Sequence, residues 1–167
     1  METLEKTKVD EKEKLVLSEK IKELKIELPN APDPVGAYVA YKTINNLLYI
    51  SGQLPFGLDG KLTKGKIGKD LTLEQGQEAS KLCILNIISQ AKKAMGGDLD
   101  KIKNCIKITG FVNSTDDFVD QPKIINPASE MLTLLFGEKG KHTRAAVSTN
   151  SLPLGVAVEI DAIFEIN

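Results

Sequence analysis

Residues 156–166 read VAVEIDAIFEI and alternate between two kinds of side chain along most of the stretch. Successive side chains of a β-strand point to opposite faces, so this pattern predicts a strand with one buried face. The first face is wholly apolar and consists of Val156, Val158, Ile160, Ala162 and Phe164. The second face carries Glu159 in mid-strand, where a half-buried carboxylate needs a cation or a bound water as its partner.

Another strand is predicted from Arg144 to Thr149, and a turn at Leu152-Pro153 leads from it into the first. The short turn predicts that the two strands form a hairpin. Arg144 is the only arginine of the chain, and its planar guanidinium holds a carboxylate through two parallel hydrogen bonds as no lysine can. Two interpretations remain open: a structural ion pair with Glu159, or an anion site beside which Glu159 positions a water.

The middle of the chain carries two helix signals with a strand between them. Thr72-Leu73-Glu74-Gln75 is a capping box that opens a long helix, which Gly96-Gly97 closes. A second helix is predicted from about Pro122 to Phe136, and Asn126-Pro127 is expected to interrupt its start because a residue before proline avoids helical angles. The intervening strand runs near Cys105 to Val112, with one face formed by Ile106, Ile108 and Val112.

The N-terminal part combines charge, a short helix and a hairpin. Residues 1–14 predict a solvated tail, and residues 15–167 a single domain. An amphipathic helix from about Leu15, with Ser18 as its expected cap, either packs on its own domain or binds a partner. After three prolines that favour extended backbone, Ala37–Thr43 and Leu47–Gln53 predict a hairpin around an Asn45-Asn46 turn.

These elements predict the order ββαβαββ after the short helix: an α+β domain whose two helices pack on one face of a mixed sheet. The opposite face is too apolar to remain in water, and a barrel-like homo-oligomer would cover it. Its expected apolar residues are Tyr41, Tyr49, Val147 and Ile163.

The composition disfavours several classes of function. A net charge of −1 and a sequence pI of about 5.9 argue against a protein that binds the phosphate backbone of nucleic acid. One histidine and two well-separated cysteines give no metal-ligand spacing, and no apolar stretch has the length of a membrane span. We therefore expect no metal, no nucleic-acid partner, no membrane, a cytoplasmic location, and His142 as a solvated surface residue.

Several stretches occur in a particular order along the chain. They are Ala31-Pro32 with Gly36-Ala37-Tyr38, then Tyr49-Ile50-Ser51-Gly52-Gln53-Leu54-Pro55, then Arg144, and Leu152-Pro153-Leu154-Gly155 with Val158-Glu159-Ile160. In this order, from about Pro29 to the C-terminus, the chain resembles the RidA/YjgF family. The members of that family are reactive-intermediate deaminases with a chorismate-mutase-like α+β fold.

The resemblance implies a homotrimer with sites in the clefts between subunits, and hydrolysis of amino-acid-derived enamines and imines to 2-keto acids and ammonia without a cofactor. By position, Arg144 would bind the substrate carboxylate and Glu159 would orient the attacking water. Tyr38 would line the cleft, Gly52 would contribute backbone contacts, and Asn126 would shape the wall. An aromatic packed at an interface, for Tyr38, and a helix-start cap, for Asn126, remain alternative interpretations.

The chain departs from the family pattern around its arginine. Family deaminases commonly read Pro-Ala-Arg-Ser, whereas this chain reads His142-Thr143-Arg144-Ala145, and Ala146 stands where a small polar residue is common. The alternative function is therefore a non-catalytic trimeric module that binds a small carboxylate or another protein. Endoribonuclease activity, also attributed to the family, is disfavoured by the acidic pI and the lack of a histidine-based acid/base pair.

Overall fold

The computed structural model describes residues 16–167, and within them it shows the predicted order ββαβαββ after a short helix. The helices are α1 (Leu17–Glu23), α2 (Leu73–Ala94) and α3 (Gln121–Phe136), and the strands are β1 (Tyr41–Ile44), β2 (Leu47–Gln53), β3 (Ile102–Asn113), β4 (Thr143–Thr149) and β5 (Val158–Ile166). The predicted α+β class is confirmed. The predicted tail, residues 1–14, and the expected helix start at Leu15 lie outside the described residues.

The five strands form one mixed sheet in the order β1-β2-β5-β3-β4. β5 lies at its centre and runs antiparallel to both β2 and β3, while β4 is an edge strand parallel to β3. The predicted hairpin of the last two strands is therefore wrong. After β4 the chain crosses the end of β3, where the Asn113 amide donates to the Ala157 carbonyl at 2.9 Å, and β5 returns on the far side.

The core lies between α2, α3 and one face of the sheet. The predicted capping box is present: the Gln75 amide donates to Thr72 Oγ1 at 3.2 Å, and the Thr72 amide donates to Gln75 Oε1 at 2.8 Å. The apolar face of β5 is buried as predicted, and Ile160 and Phe164 have no exposed surface. On β3, Gly110 allows Ile125 of α3 to approach, since a Cβ there would lie 2.5 Å from Ile125 Cδ1.

Two predicted side-chain directions are wrong, one of them because the backbone is irregular at that point. A bulge between Cys105 and Lys107 shifts the register of β3, so Ile106 is 39% exposed while Ile108 is fully buried. Tyr41 lies opposite Ile50 and packs against the core, not on the opposite face of the sheet.

Pro127 does not interrupt α3, contrary to the expectation, and the helix continues from Gln121 through it to Phe136. A proline has no amide hydrogen, so the carbonyl four residues earlier loses its helical partner. That carbonyl belongs to Lys123, and it accepts a hydrogen bond from Gln77 Nε2 of α2 at 2.9 Å. The two helices are thus joined at the position where the proline opens the ladder.

The short helix α1 packs on its own domain through the buried side chains of Leu17 and Ile21. Ser18 does not cap it; its amide and hydroxyl both donate to the Asp100 carboxylate, at 3.0 and 2.8 Å. None of the helices in residues 16–167 combines the length and the hydropathy that crossing a membrane requires.

Candidate functional site

Arg144 lies on the edge strand β4 and faces α3. Its Nη1 donates to Asn126 Oδ1 at 2.9 Å and to Ser129 Oγ at 3.1 Å, and both acceptors lie on α3. Within residues 16–167, Nε and Nη2 have no protein partner. One nitrogen therefore fixes the guanidinium, and its Nε–Nη2 edge keeps the parallel donors that grip a carboxylate.

Asn126 lies inside α3, which is capped at Asp120, so the helix-cap interpretation is wrong. Its side chain instead accepts a hydrogen bond from Arg144. The structure thus brings together two of the predicted site residues, one from a helix and one from the edge strand.

Ser129 and His142 belong to the same cluster, although the sequence did not indicate them. His142 is half-buried, with Nε2 2.9 Å from Ser129 Oγ and Nδ1 2.6 Å from the Gly140 carbonyl oxygen, so the prediction of a solvated histidine is wrong. A signal existed in the spacing. Asn126 and Ser129 are three residues apart on one helix face, and His142 and Arg144 are two apart.

Glu159 lies on the opposite face of the sheet, which none of the helices in residues 16–167 covers. Its side chain is half-buried, and among residues 16–167 its carboxylate has no hydrogen-bond or ion-pair partner. Burial, with a smaller contribution from the nearby Asp161 carboxylate, raises the pKa of Glu159. Such a carboxylate accepts protons more readily than a solvated one, which suits a group that holds and deprotonates water.

The structure does not bring Arg144 and Glu159 together within one chain. Glu159 lies opposite Phe111, which pairs with Val147, so the two residues are two strands and three positions apart. With strands about 4.8 Å apart and about 3.3 Å per residue, their Cα atoms are separated by roughly 14 Å. The side chains also face opposite sides, so the predicted structural ion pair does not form here.

Gly52 lies directly beside Glu159 at a β-bulge between Ile50 and Gln53. A Cβ at Gly52 would overlap the Glu159 carboxylate, with Cδ at 2.9 Å, so only glycine leaves that carboxylate its position. Tyr38 precedes β1 and is 54% exposed, so neither of its two interpretations is decided by contacts within one chain. Among the described residues, no group of three or more histidine, cysteine, aspartate or glutamate side chains has metal-binding geometry.

A family model described as "YjgF/chorismate_mutase-like, putative endoribonuclease" matches residues 19–165 of the chain. Among curated proteins, Protein TCP17 of Trypanosoma cruzi is 41% identical over 148 residues, which cover 88% of this chain and 92% of that protein. A RutC family protein of Pyrococcus horikoshii is 33% identical over 80% of this chain and 90% of its own length.

A solved structure shows the same architecture. The Agrobacterium tumefaciens protein Atu1372, described as having unknown function, is 44% identical with a TM-score of 0.82, covering 91% of this chain and 94% of that one. The match extends over nearly all the described residues, so the likeness includes both faces of the sheet.

Proposed function

The chain belongs to the RidA/YjgF family and has its chorismate-mutase-like fold, and on that premise we propose that it hydrolyses enamine and imine intermediates derived from amino acids. The products are 2-keto acids and ammonia. The observation that carries the proposal is the guanidinium of Arg144. It is held through Nη1 by Asn126 and Ser129, with a bidentate edge left over for a carboxylate.

The chemistry asks little of the protein because an iminium carbon is already electrophilic. Arg144 fixes the substrate through its carboxylate, and Glu159 holds a water and takes its proton as the oxygen attacks the iminium carbon. Glu159 then gives that proton to the amino nitrogen of the carbinolamine, the C–N bond breaks to release ammonia, and the hydroxyl loses its proton to solvent as the carbonyl of the 2-keto acid forms. Most of the rate acceleration comes from holding the water and the iminium carbon in a reactive orientation, because their reaction then no longer depends on a bimolecular encounter in solution.

The site is composed of two copies of the chain. Arg144 with Asn126 faces the helix side of one sheet, and Glu159 with Gly52 faces the open side, roughly 14 Å away by strand spacing. A small amino-acid derivative cannot reach both in one chain. In a homotrimer, the open side of each sheet meets a neighbour, so one protomer supplies the arginine and the next supplies the glutamate.

The first experiment follows imine loss. A dehydratase generates 2-aminoacrylate, and its decay is followed with and without the protein. We expect wild type to accelerate decay and Arg144→Lys to lower kcat/KM by about a hundredfold, because lysine cannot grip the carboxylate bidentately. Unaltered spontaneous decay with wild type would contradict the deaminase. Retained binding of a 2-keto acid would then favour the non-catalytic module.

A second experiment tests the composite site by subunit mixing. Arg144→Lys and Glu159→Gln alone are each expected to have little activity, and every mixed trimer contains one interface with both native residues. Random mixing in equal amounts therefore restores about a quarter of wild-type activity if the two groups come from different chains. No recovery, with heteromers verified by mass, would place both groups in one chain.

A further inference from the structure

We propose that Ser129 and His142 form a proton relay that donates to the substrate held by Arg144, and this inference rests on the proposed function. The position two residues after the arginine is Ala146, which has no hydroxyl. Ser129 supplies one from the facing helix, because its Oγ lies 3.1 Å from Arg144 Nη1 and 2.9 Å from His142 Nε2. The hydroxyl therefore lies between the carboxylate anchor and the only imidazole of the chain.

The Gly140 carbonyl fixes the direction of the relay. A carbonyl oxygen can only accept, so Nδ1 of His142, at 2.6 Å, is the nitrogen that carries hydrogen in the neutral ring. Nε2 is then an acceptor and takes the Ser129 hydroxyl hydrogen. Ser129 Oγ meanwhile accepts from Arg144, so each group in the chain has a defined role.

Protonation of His142 reverses the direction of its hydrogen bond with the Ser129 hydroxyl. When Nε2 carries a hydrogen it donates to Ser129 Oγ, and the hydroxyl hydrogen must turn away from the ring toward another acceptor. An enamine bound by its carboxylate at Arg144 presents such an acceptor in its β-carbon. Histidine is suited to this because its ring can accept a proton at one nitrogen while the other nitrogen donates.

Donation of one proton by the relay converts the enamine into an iminium ion. The nitrogen lone pair of the enamine forms the C=N bond, and the C=C electron pair takes the Ser129 hydrogen and becomes a C–H bond. Ser129 takes the proton of His142 Nε2, and solvent restores it to the imidazole. The product is the iminium carboxylate, on which the hydrolysis above proceeds with one water.

Ser129 is reached from the surface on the outer side of α3. An open groove of about 590 Å³ is lined by Asn126, Ser129, Glu130, Thr133 and Leu134. Lys141, which pairs with Glu138 at 2.8 Å, precedes His142 in the chain, Arg144 shares the Ser129 hydroxyl with His142, and Glu130 follows Ser129 on α3.

The kinetic test uses 2-aminocrotonate, generated by a threonine dehydratase, in D₂O. Relay donation deuterates C3 on one face, so wild type yields 2-ketobutyrate with one C3 configuration in excess. Ser129→Ala and His142→Gln are expected to lose that excess and to lower kcat by about a hundredfold, as for loss of a general acid. Thr133→Ala, one helical turn away in the same groove, is the matched control and should behave as wild type.

His142 as the only histidine makes the relay visible by NMR. The ¹⁵N shifts should show hydrogen on Nδ1 in the neutral ring, and the alkaline limb of kcat should coincide with the measured titration of this ring. Wild type without acceleration would overturn the proposed function and the relay with it. An active wild type whose rate and C3 excess survive Ser129→Ala would overturn the relay alone.

Discussion

The two faces of the sheet differ in what their side chains do. The helix-covered face is filled by side chains such as Ile108, Ile160 and Phe164, which have no exposed surface. The open face leaves Tyr49 43% and Val147 46% exposed and holds Glu159 without a partner in residues 16–167. Apart from the Arg144 cluster beside α3, the covered face thus accounts for folding, and the open face retains apolar side chains and one carboxylate that a second copy of the chain can cover.

The largest loss of stability should come from a substitution on the helix-covered face of the sheet. Ile108→Ala is expected to lower the free energy of unfolding by about 3–4 kcal/mol, because it removes a fully buried side chain from a closed core. Ile106→Ala, two residues away and 39% exposed because of the bulge, should cost about 1 kcal/mol or less. Urea unfolding of both variants measures the difference, and equal losses would contradict the bulged register.

A charge on the open face should prevent assembly of the proposed trimer without unfolding the chain. If the proposed homotrimer forms through this face, Val147→Glu is expected to shift the sedimentation mass from that of three copies toward the 18.2 kDa of one, because an ionised carboxylate is costly in an apolar interface. The circular dichroism of the separated chain should stay native-like. An unchanged mass would show that this face is not the interface.

The smallest expected effect is the contribution of Glu159 to the pH dependence of the protein's stability. A carboxyl whose pKa is raised in the folded state favours the protonated form, so its stabilising contribution is present below the ordinary glutamate pKa and is lost as pH rises through the raised one. Glu159→Gln should therefore raise Tm at neutral pH by about 1–2 °C, a small gain because the side chain is half in solvent. Melting curves at pH 4 should show no difference, and a gain that persists there would point to another cause.

Much of the fold could be predicted because the signals are local. The capping box at Thr72, the glycine that ends α3 and the alternation of residues 158–166 each depend on neighbours a few residues away. The pairing partners of β4 and β5 could not be predicted in the same way. A short turn favours a hairpin, and only the long strand β3 inserting between them decides otherwise.

The sequence singles out Arg144 as the candidate carboxylate anchor and the family resemblance names its neighbour Asn126, but neither indicates Ser129. Arg144 is distinctive by residue type, because a lone arginine among lysines indicates a need for its planar fork. Spacing places Ser129 on the helix face of Asn126 and His142 on the strand face of Arg144. The Ser129–His142 hydrogen bond joins these two elements, and local spacing does not reveal that they meet. The opposite directions of Arg144 and Glu159 likewise follow from the register of three strands rather than from either residue.

The hydrogen bond formed at Pro127 fixes the rotation of α3 about its own axis. The carbonyl that it leaves without a helical partner is satisfied by Gln77 of α2, and a helix turned by even one residue would lose that bond. The same rotation would swing Asn126 and Ser129 away from the guanidinium that they hold. A proline that was expected to interrupt the helix thus helps to fix its orientation. The position of the Arg144 guanidinium depends on that orientation.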